Sequence, residues 1–455
     1  MKPYPYILSP MLLSLVFASK LAAADTPQVH IHGSNTIGAE LMPALIEHYG
    51  QTQTWNTERR VANNETSTFV FQNAQQQPTL NVGLQAKGSS TAFKGLLNGS
   101  AHIGMASRPI KDKEAAKLQA AGLGDLHDFG HERVLALDGL AIITHAENPV
   151  QTISMQSLAK VFSGKITNWQ TLGGQDLAIN VYARDHQSGT FDTFKSLVLK
   201  PSKSSLTPNA KRFSSNEKLS DSVARDPQGV GFTGFAYIRN AKAIELEGSC
   251  GMRFSPDEFS VKTEEYPLAR RLFLYTIPGS ATASAQSLLD YSLSDAAQRI
   301  ISDTGFVNQD IQLKSGEQGK RLHANLFHPI QNQTLLRDLS SKMADADRAS
   351  VIFQFNHGSS QLDNKSLQDI SRLARFLKRP EHVGKSVKLF GFADSSGDFN
   401  TNQRLSLKRA QVVATALEAK GIKAASVTGY SELSPIACNT GKGLDKNRRV
   451  EVWLK

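Results

Sequence analysis

The sequence predicts an α/β protein, and two observations carry that expectation between residue 29 and about residue 313. Residues 29–31, 102–105, 140–144, 179–182, 230–232 and 272–276 are brief apolar runs bounded by Gly, Ser, Asn or Pro, so they read as strands. Between them, helices start where small polar residues precede periodic apolar ones, as in Thr36-Ile37 leading to Leu41 and Leu45. Strands alternating with helices imply mainly parallel sheets, whose ligands sit beyond the strand C-termini where helices begin.

A second α/β pattern follows. Val351, Phe353 and Phe355 alternate as a strand, and Leu367, Ile370, Leu373, Ala374 and Leu377 form a helical stripe. Val387, Leu389 and Gly391 alternate again; Leu405, Ala410, Val413, Ala414 and Leu417 make a second helix face; Val450, Val452 and Leu454 close with a strand. This is roughly βαβαβ, enough for one small domain. The polar, basic stretch between the patterns reads as a linker or docking segment over 314–349, with one helix at 334–343.

The chain has 455 residues, 40% hydrophobic and 20% charged, which suits two or three globular domains and excludes a disordered or disulfide-stapled miniature protein. Its net charge of +10 is unevenly placed: residues 350–455 hold 17 basic and 9 acidic residues, whereas residues 25–349 balance 32 of each. Lys2, the apolar run 7–18 and Ala22-Ala23-Ala24 read as a signal peptide over 1–24, which implies export to the periplasm. Twelve apolar residues are too few for a membrane span. Cys250 and Cys438 lie far apart in different domains and are expected as two free buried thiols.

Three segments share the order strand, Gly/Ser/Thr, helix: Gly33-Ser34-Asn35-Thr36, Gly88-Ser89-Ser90-Thr91 and Gln187-Ser188-Gly189-Thr190. Each would offer backbone N–H groups and a hydroxyl at a helix N-terminus, and three together could surround one tetrahedral oxyanion. Singly, each is an ordinary N-cap. Arg108 and Arg184 follow strands and would add charge and forked donors, or else form surface salt bridges.

In order, Gly33-Ser34-x-Thr36, Gly88-Ser89-Ser90-Thr91, Ile103-Gly104-x-Ala106-Ser107-Arg108-Pro109-Ile110, Asp138-Gly139-Leu140-Ala141, Phe162-Ser163-Gly164-Lys165-Ile166-Thr167-Asn168-Trp169 and Arg184-Asp185-x-x-Ser188-Gly189-Thr190 resemble the phosphate-binding proteins of phosphate ABC importers, the PstS-like group. Tyr266-Pro267-Leu268-Ala269-Arg270 resembles the family's late return segment. The resemblance implies a two-lobed periplasmic-binding-protein fold (type II) over 25–313, one lobe holding about 28–146 and 230–313 and the other about 147–229. It also implies phosphate in the cleft, held by Ser34, Thr36, Ser89, Ser90, Ser107, Arg108, Arg184, Ser188, Gly189 and Thr190. His102 stands where the family usually has an acidic residue. Phosphate near neutral pH carries a proton and sulfate does not, so a buried carboxylate favours phosphate; Asp138 is the first candidate acceptor and Asp185 the second.

In the smaller domain, Asp394 follows a strand and Arg409 lies on the next helix, a pair able to bind a zwitterion or simply each other. Gly391-Phe392-Ala393-Asp394, Asn402-x-x-Leu405-Ser406-x-x-Arg409-Ala410, Gly429-Tyr430 and Asn447-Arg448-Arg449-Val450-Glu451-Val452 resemble the OmpA-like C-terminal domain over 350–455. That resemblance implies non-covalent binding of peptidoglycan diaminopimelate, Asp394 holding the ammonium and Arg409 the carboxylate, with Asn402 and Arg448 in support. Phe392 and Ala393 replace the family's usual His-Thr, which removes a hydroxyl near that site.

Together these readings describe a phosphate receptor tethered to the cell wall, with an importer membrane complex as a further partner. Two alternatives stay open: an envelope structural or adhesion protein uncoupled from transport, and a receptor for another tetrahedral oxyanion. No enzyme is expected, since the chain has no Gly-x-Ser-x-Gly elbow, no Walker loop and no His-Glu-x-x-His, and no cofactor or metal site is expected either. His127 and His131 flank a Gly-rich loop and read as solvated rather than metal-ligating. Nucleic-acid binding is disfavoured because the basic residues lack interleaved aromatics.

Overall fold

Alternating apolar residues along 29–31 and 80–84 bury one face under the helix Leu41–Thr52, and this packing starts the first of two sheets. The computed structural model describes residues 28–455 apart from 64, 187, 328–331, 356–358, 440 and 442; the expected signal peptide and Gln187 lie outside the described residues. The first sheet contains β1 (Gln28–Gly33), β2 (Asn56–Asn63), β3 (Thr66–Gln72), β4 (Pro78–Gln85), β5 (Ile103–Ala106), β6 (Glu132–Thr144), β7 (Thr152–Ser154), β8 (Asn180–Arg184), β9 (Lys211–Phe213), β10 (Gly229–Gly234), β11 (Lys242–Glu247), β12 (Arg253–Phe254) and β13 (Ala269–Tyr275). Their main order is β2-β3-β4-β1-β5-β13-β6-β10-β8-β9.

The sheet is mixed rather than mainly parallel. β1 runs parallel to β4 and β5, and β8 parallel to β9 and β10, but β2-β3-β4 is an antiparallel meander and β13 and β10 both run antiparallel to β6. The long strand β6 joins the two halves: residues 132–139 pair with β13, and residues 140–144 pair with β10. Residues 230–234, expected with the first lobe, therefore stand beside β8 in the second half of the sheet, because they pair with residues 140–144 and Val230 pairs with Val181.

The C-terminal sheet has the order β14-β15-β18-β16-β17, from β14 (Leu313–Lys314), β15 (Asp347–Gln354), β16 (Val387–Gly391), β17 (Ser426–Gly429) and β18 (Arg449–Leu454). Helices Asn364–Leu377 and Phe399–Glu418 lay their apolar stripes on it, burying Leu373, Phe376, Val413 and Leu417 against Val351, Phe353, Leu389 and Val452.

Residues 314–349 are not an exposed spacer. They form the helices Glu317–His323 and Gln333–Met343, and Leu339 and Met343 pack with Phe390, Tyr430 and Trp453. Glu317, Arg321 and Arg348 of this segment meet Glu265 from before it and Arg449 and Glu451 from after it in one buried cluster. Arg348 pairs with Glu265 (2.6 Å), Glu451 (3.2 Å) and Glu317 (3.4 Å); Arg321 pairs with Glu265 (3.4 Å) and Arg449 with Glu451 (2.6 Å). The charges balance, which is what tolerates their burial.

The expectation of two free thiols is corrected: Cys250 and Cys438 form a disulfide with a Cα–Cα separation of 5.6 Å. Sequence separation gave no hint, because only docking of the C-terminal domain brings the β11–β12 turn next to residue 438. The same domain also reaches the first half of the sheet, where Gln368 Oε1 accepts from Val134 N (2.8 Å) and Arg271 pairs with Asp363 (2.7 Å). It thus holds both halves of β6's sheet.

Candidate functional site

Tight backbone turns build the cleft between the two halves. Gly33 ends β1 at a φ of 148°, where a Cβ would lie 1.9 Å from the Met105 carbonyl oxygen, so only glycine fits. Ser34 N then donates to Met105 O (2.8 Å), and Ser34 Oγ accepts from Thr36 N (3.1 Å). The helix that follows, Asn35–Gly38, is a single turn, so the expected helix dipole shrinks there to a capped turn. Across the cleft Gly189 opens the helix Gly189–Phe194; a Cβ on it would lie 2.4 Å from Thr36 Cα, and the two halves touch at this point. The third segment enters the longer helix Ser89–Leu97, and Ser89 Oγ accepts from Ser107 N (3.1 Å).

Three guanidinium groups approach this junction, each in a different state. Arg184 ends β8 buried, donating through Nε to Phe213 O (3.3 Å) and through Nη2 to Ser214 O (3.0 Å). Its Nη1 has no hydrogen-bond partner among the described residues. Burial lowers its pKa, opposed by the charges of Glu40, Asp185 and Glu217. Arg270 donates through Nε to Asp138 Oδ2 (3.1 Å) and through Nη2 to Thr36 Oγ1 (2.8 Å) and to Thr193 Oγ1, while Thr193 Oγ1 donates to Asp138 (2.7 Å). Arg108 is engaged locally: it forks onto Glu114 with two 2.8 Å bonds, reaches Ser90 Oγ at 3.1 Å and lies 5.3 Å from the Phe93 ring centre.

Two cavities meet at Ser188. The inner one, about 60 Å³, is bordered by Thr36, Asp138, Arg184, Ser188, Gly189 and Thr190. The outer one, about 400 Å³, is bordered by Ser89, Ser90, Ser107, Arg108, Ser188 and Arg270 among others. Of the expected cleft residues, Ser34 borders neither and acts as the cap described above. Asp185 borders neither cavity, nor does His102, whose Nδ1 accepts from His30 N (3.0 Å) beside the stacked His30 ring. Arg270 is the residue that sequence reasoning missed. It lay in the quoted return segment, but its role depends on register, since β13 sets it directly opposite Asp138 on β6.

In the smaller domain, Asp394 follows β16 and accepts at Oδ1 from Ser396 N (2.8 Å) and from the Ser396 hydroxyl. Its Oδ2 meets Arg448 Nη1 at 2.8 Å, so the salt bridge of this site joins Asp394 to Arg448. Burial alone would raise the Asp394 carboxyl, but Ser396 and Arg448 outweigh it and hold it below the usual carboxylate range. Asn402 Nδ2 donates to the carbonyls of Asp394 and Ser396, both at 3.1 Å, and fixes that loop. Arg409 is fully buried, donates to Ser359 O (3.1 Å) and lies 5.4 Å from the Phe355 ring centre; burial and then the Arg448 charge lower it to about 10. The sequence thus brings Asp394, Asn402, Arg409 and Arg448 to one end of the sheet.

His127 Nδ1 contacts Asp125 Oδ1 (2.7 Å) and His131 Nδ1 contacts Thr276 O (3.1 Å). Among the described residues no cluster of His, Cys, Asp and Glu suits a metal ion, and no helix is long and apolar enough to cross a membrane.

Residues 52–296, more than half of the chain, match the PBP superfamily domain. The chain belongs to the PBP superfamily. Residues 354–449 match the OmpA family, so this PBP-superfamily chain carries an OmpA-family domain after its PBP-superfamily domain. Protein SphX of Synechococcus elongatus is 31% identical over 242 residues, which are 50% of this chain and 69% of SphX. The phosphate-binding protein PstS of Bacillus subtilis is 29% identical over 251 residues, 54% of this chain and 78% of PstS. A crystal structure described as a possible phosphate binding protein from Planctomyces limnophilus superposes with a TM-score of 0.50 at 20% identity, covering 70% of this chain and 96% of that one; it supports the fold.

The OmpA-family domain also explains its departure from pattern. Phe392 is fully buried, with the Arg449 guanidinium 4.0 Å from its ring centre and the Tyr430 ring 6.0 Å away. The residue roofs the buried charge cluster, a packing role that His would fill poorly.

Proposed function

We propose that the protein captures inorganic phosphate in the interlobe cleft and is held on peptidoglycan, non-covalently, by its OmpA-family domain. The observation that carries the first half is Arg184. A buried guanidinium with one nitrogen unpartnered among the described residues is costly, and an oxyanion in the inner cavity would satisfy it. Thr36, Ser188 and Thr190 border the same cavity and add neutral donors in a site where closure of the lobes excludes water. Asp138 favours the protonated oxyanion, phosphate, over sulfate. The Bacillus subtilis relative, named a phosphate-binding protein, is consistent with a binding role rather than catalysis.

The second half rests on Asp394 and Arg409, opposite charges at one end of the C-terminal sheet and suited to the two ends of a diaminopimelate zwitterion. The chain would then work in the periplasm, exported by residues 1–24, with receptor residues 25–313 anchored through residues 350–455. An ABC importer complex is the receiving partner under this reading.

Isothermal titration of the mature protein with phosphate, sulfate and arsenate tests capture. Phosphate should bind with micromolar or better affinity, and no heat with any tetrahedral oxyanion would sink the reading. Co-sedimentation of the full chain with diaminopimelate-type peptidoglycan tests the tether; equal sedimentation of wild type and a folded Arg409→Ala variant would reject it.

A further inference from the structure

The outer cavity is far larger than the inner one, at about 400 Å³ against about 60 Å³. That size falls within the range of about 300–1,000 Å³ typical of pockets for organic ligands. Its mouth is lined from both halves of the protein by Lys87, Lys111 and Lys200. No Phe, Tyr or Trp borders it, and Asp192 is its one carboxylate among the described residues. The other two cations there are already matched, Arg108 by Glu114 and Arg270 by Asp138. The three lysines form no ion pair within 4.0 Å among the described residues and border the cavity, and of the three only Lys111 has its charge felt by a neighbouring carboxylate, Glu114.

We propose that this cleft takes oligophosphates, with the terminal phosphoryl group at Ser188 and the following phosphates on Lys87, Lys111 and Lys200. This rests on the phosphate reading of the inner site and extends its ligand class. The one ring that borders the cleft among the described residues is His186, already set edge-on to Phe191 at 5.7 Å, so no broad aromatic face is offered to a nucleobase, which favours a purely inorganic or small-ester polyanion over a nucleotide. Lysine suits the task, since a flexible point charge follows a chain of phosphates without demanding one geometry. The lysines come from both halves, so a longer anion would also hold the cleft shut, whereas orthophosphate would engage only the inner residues.

The test is titration of the full mature chain with orthophosphate, pyrophosphate and tripolyphosphate, followed by displacement of bound orthophosphate. Tripolyphosphate should bind one to one and displace orthophosphate. In the Lys87→Gln/Lys111→Gln/Lys200→Gln variant, shown to be folded by circular dichroism, tripolyphosphate affinity should fall tenfold or more while orthophosphate affinity stays within twofold. Binding of orthophosphate without competition by tripolyphosphate overturns this extension alone. An equal loss for both ligands in the variant also overturns it, since that is general attraction rather than a subsite. Absence of binding by all three ligands overturns the phosphate reading together with the extension.

Discussion

Arg270 and Arg271 are neighbours on β13 yet serve opposite sides of the molecule. Arg270 turns into the cleft onto Asp138 and Thr36, whereas Arg271 turns out onto Asp363 of the OmpA-family domain at 2.7 Å. Strand alternation produces this split. One strand thus carries a contact into the cleft and, at the next residue, a contact onto the OmpA-family domain.

Arg184 should matter more to the cleft than any single hydroxyl. Thr190→Val removes a neutral donor and is expected to weaken phosphate binding by about 1–3 kcal/mol. Arg184→Ala removes a charge with forked donors and should cost more. Titration calorimetry on both variants checks the order, and the reverse order would remove Arg184 from the site.

Asp138 is already matched by Arg270 and Thr193, so its negative charge is held in place rather than free to swing away. Asp138→Asn should leave Arg270 uncompensated and add an amide donor, which raises sulfate affinity and narrows the phosphate-to-sulfate preference. The preference is read from paired titrations with the two ions. An unchanged ratio would place the discriminating acceptor elsewhere in the cleft.

Asp394→Ala and Arg409→Ala should each abolish most sedimentation of the full chain with peptidoglycan, and the double variant should be little worse than either single. The bridge seen at 2.8 Å joins Asp394 to Arg448, so Arg448→Ala is expected to loosen the loop and weaken binding partially. Additive losses in the double variant would mean that the two residues do not share one ligand.

Acid should separate the domains' contact before it unfolds their cores. Burial alone would raise the Glu265 carboxyl, but Arg321, Arg348 and Lys320 hold it far below its usual range; Arg348, Arg449 and Arg321 do the same for Glu451, and Arg271 with Ser366 for Asp363. Depressed carboxyl pKa values mean stability that is complete above the unfolded values, about 4.3 for Glu and 3.9 for Asp, and is lost as pH falls through the lower folded ones. Melting temperature should therefore stay level from pH 8 to 5 and drop below about 4. Glu451→Gln, which strands Arg449 and removes one of the three carboxylates around Arg348, should cost about 3–5 kcal/mol at neutral pH. A melting temperature that already declines between pH 7 and 5 would contradict this account.

Much of this was legible because periodicity is local. The stripe from Leu367 to Leu377 and the alternation at Val450, Val452 and Leu454 fall where the helix Asn364–Leu377 and β18 stand. β2 left no signal because it is exposed along nearly its whole length, and although Phe69 and Phe71 on β3 and Leu80, Val82 and Leu84 on β4 do alternate, alternation alone does not say that these runs pair as an antiparallel meander. Pairing across distance left no trace in the chain: Arg270 opposite Asp138 depends on strand register, and Cys250 with Cys438 on docking of the C-terminal domain. Ser34 shows the limit within a motif, since Gly-Ser-x-Thr is equally the signature of an anion contact and of the cap that it forms.

The Cys250–Cys438 bridge also sets an order of assembly. The two thiols are 188 residues apart, so residues around Cys250 emerge during synthesis long before their partner exists. Closure needs both an oxidising compartment and a C-terminal domain already seated beside the β11–β12 turn. The PBP-superfamily domain therefore passes through a stage with one unmatched sulfur, and covalent locking waits on the seating of the C-terminal domain rather than on either half of the first sheet.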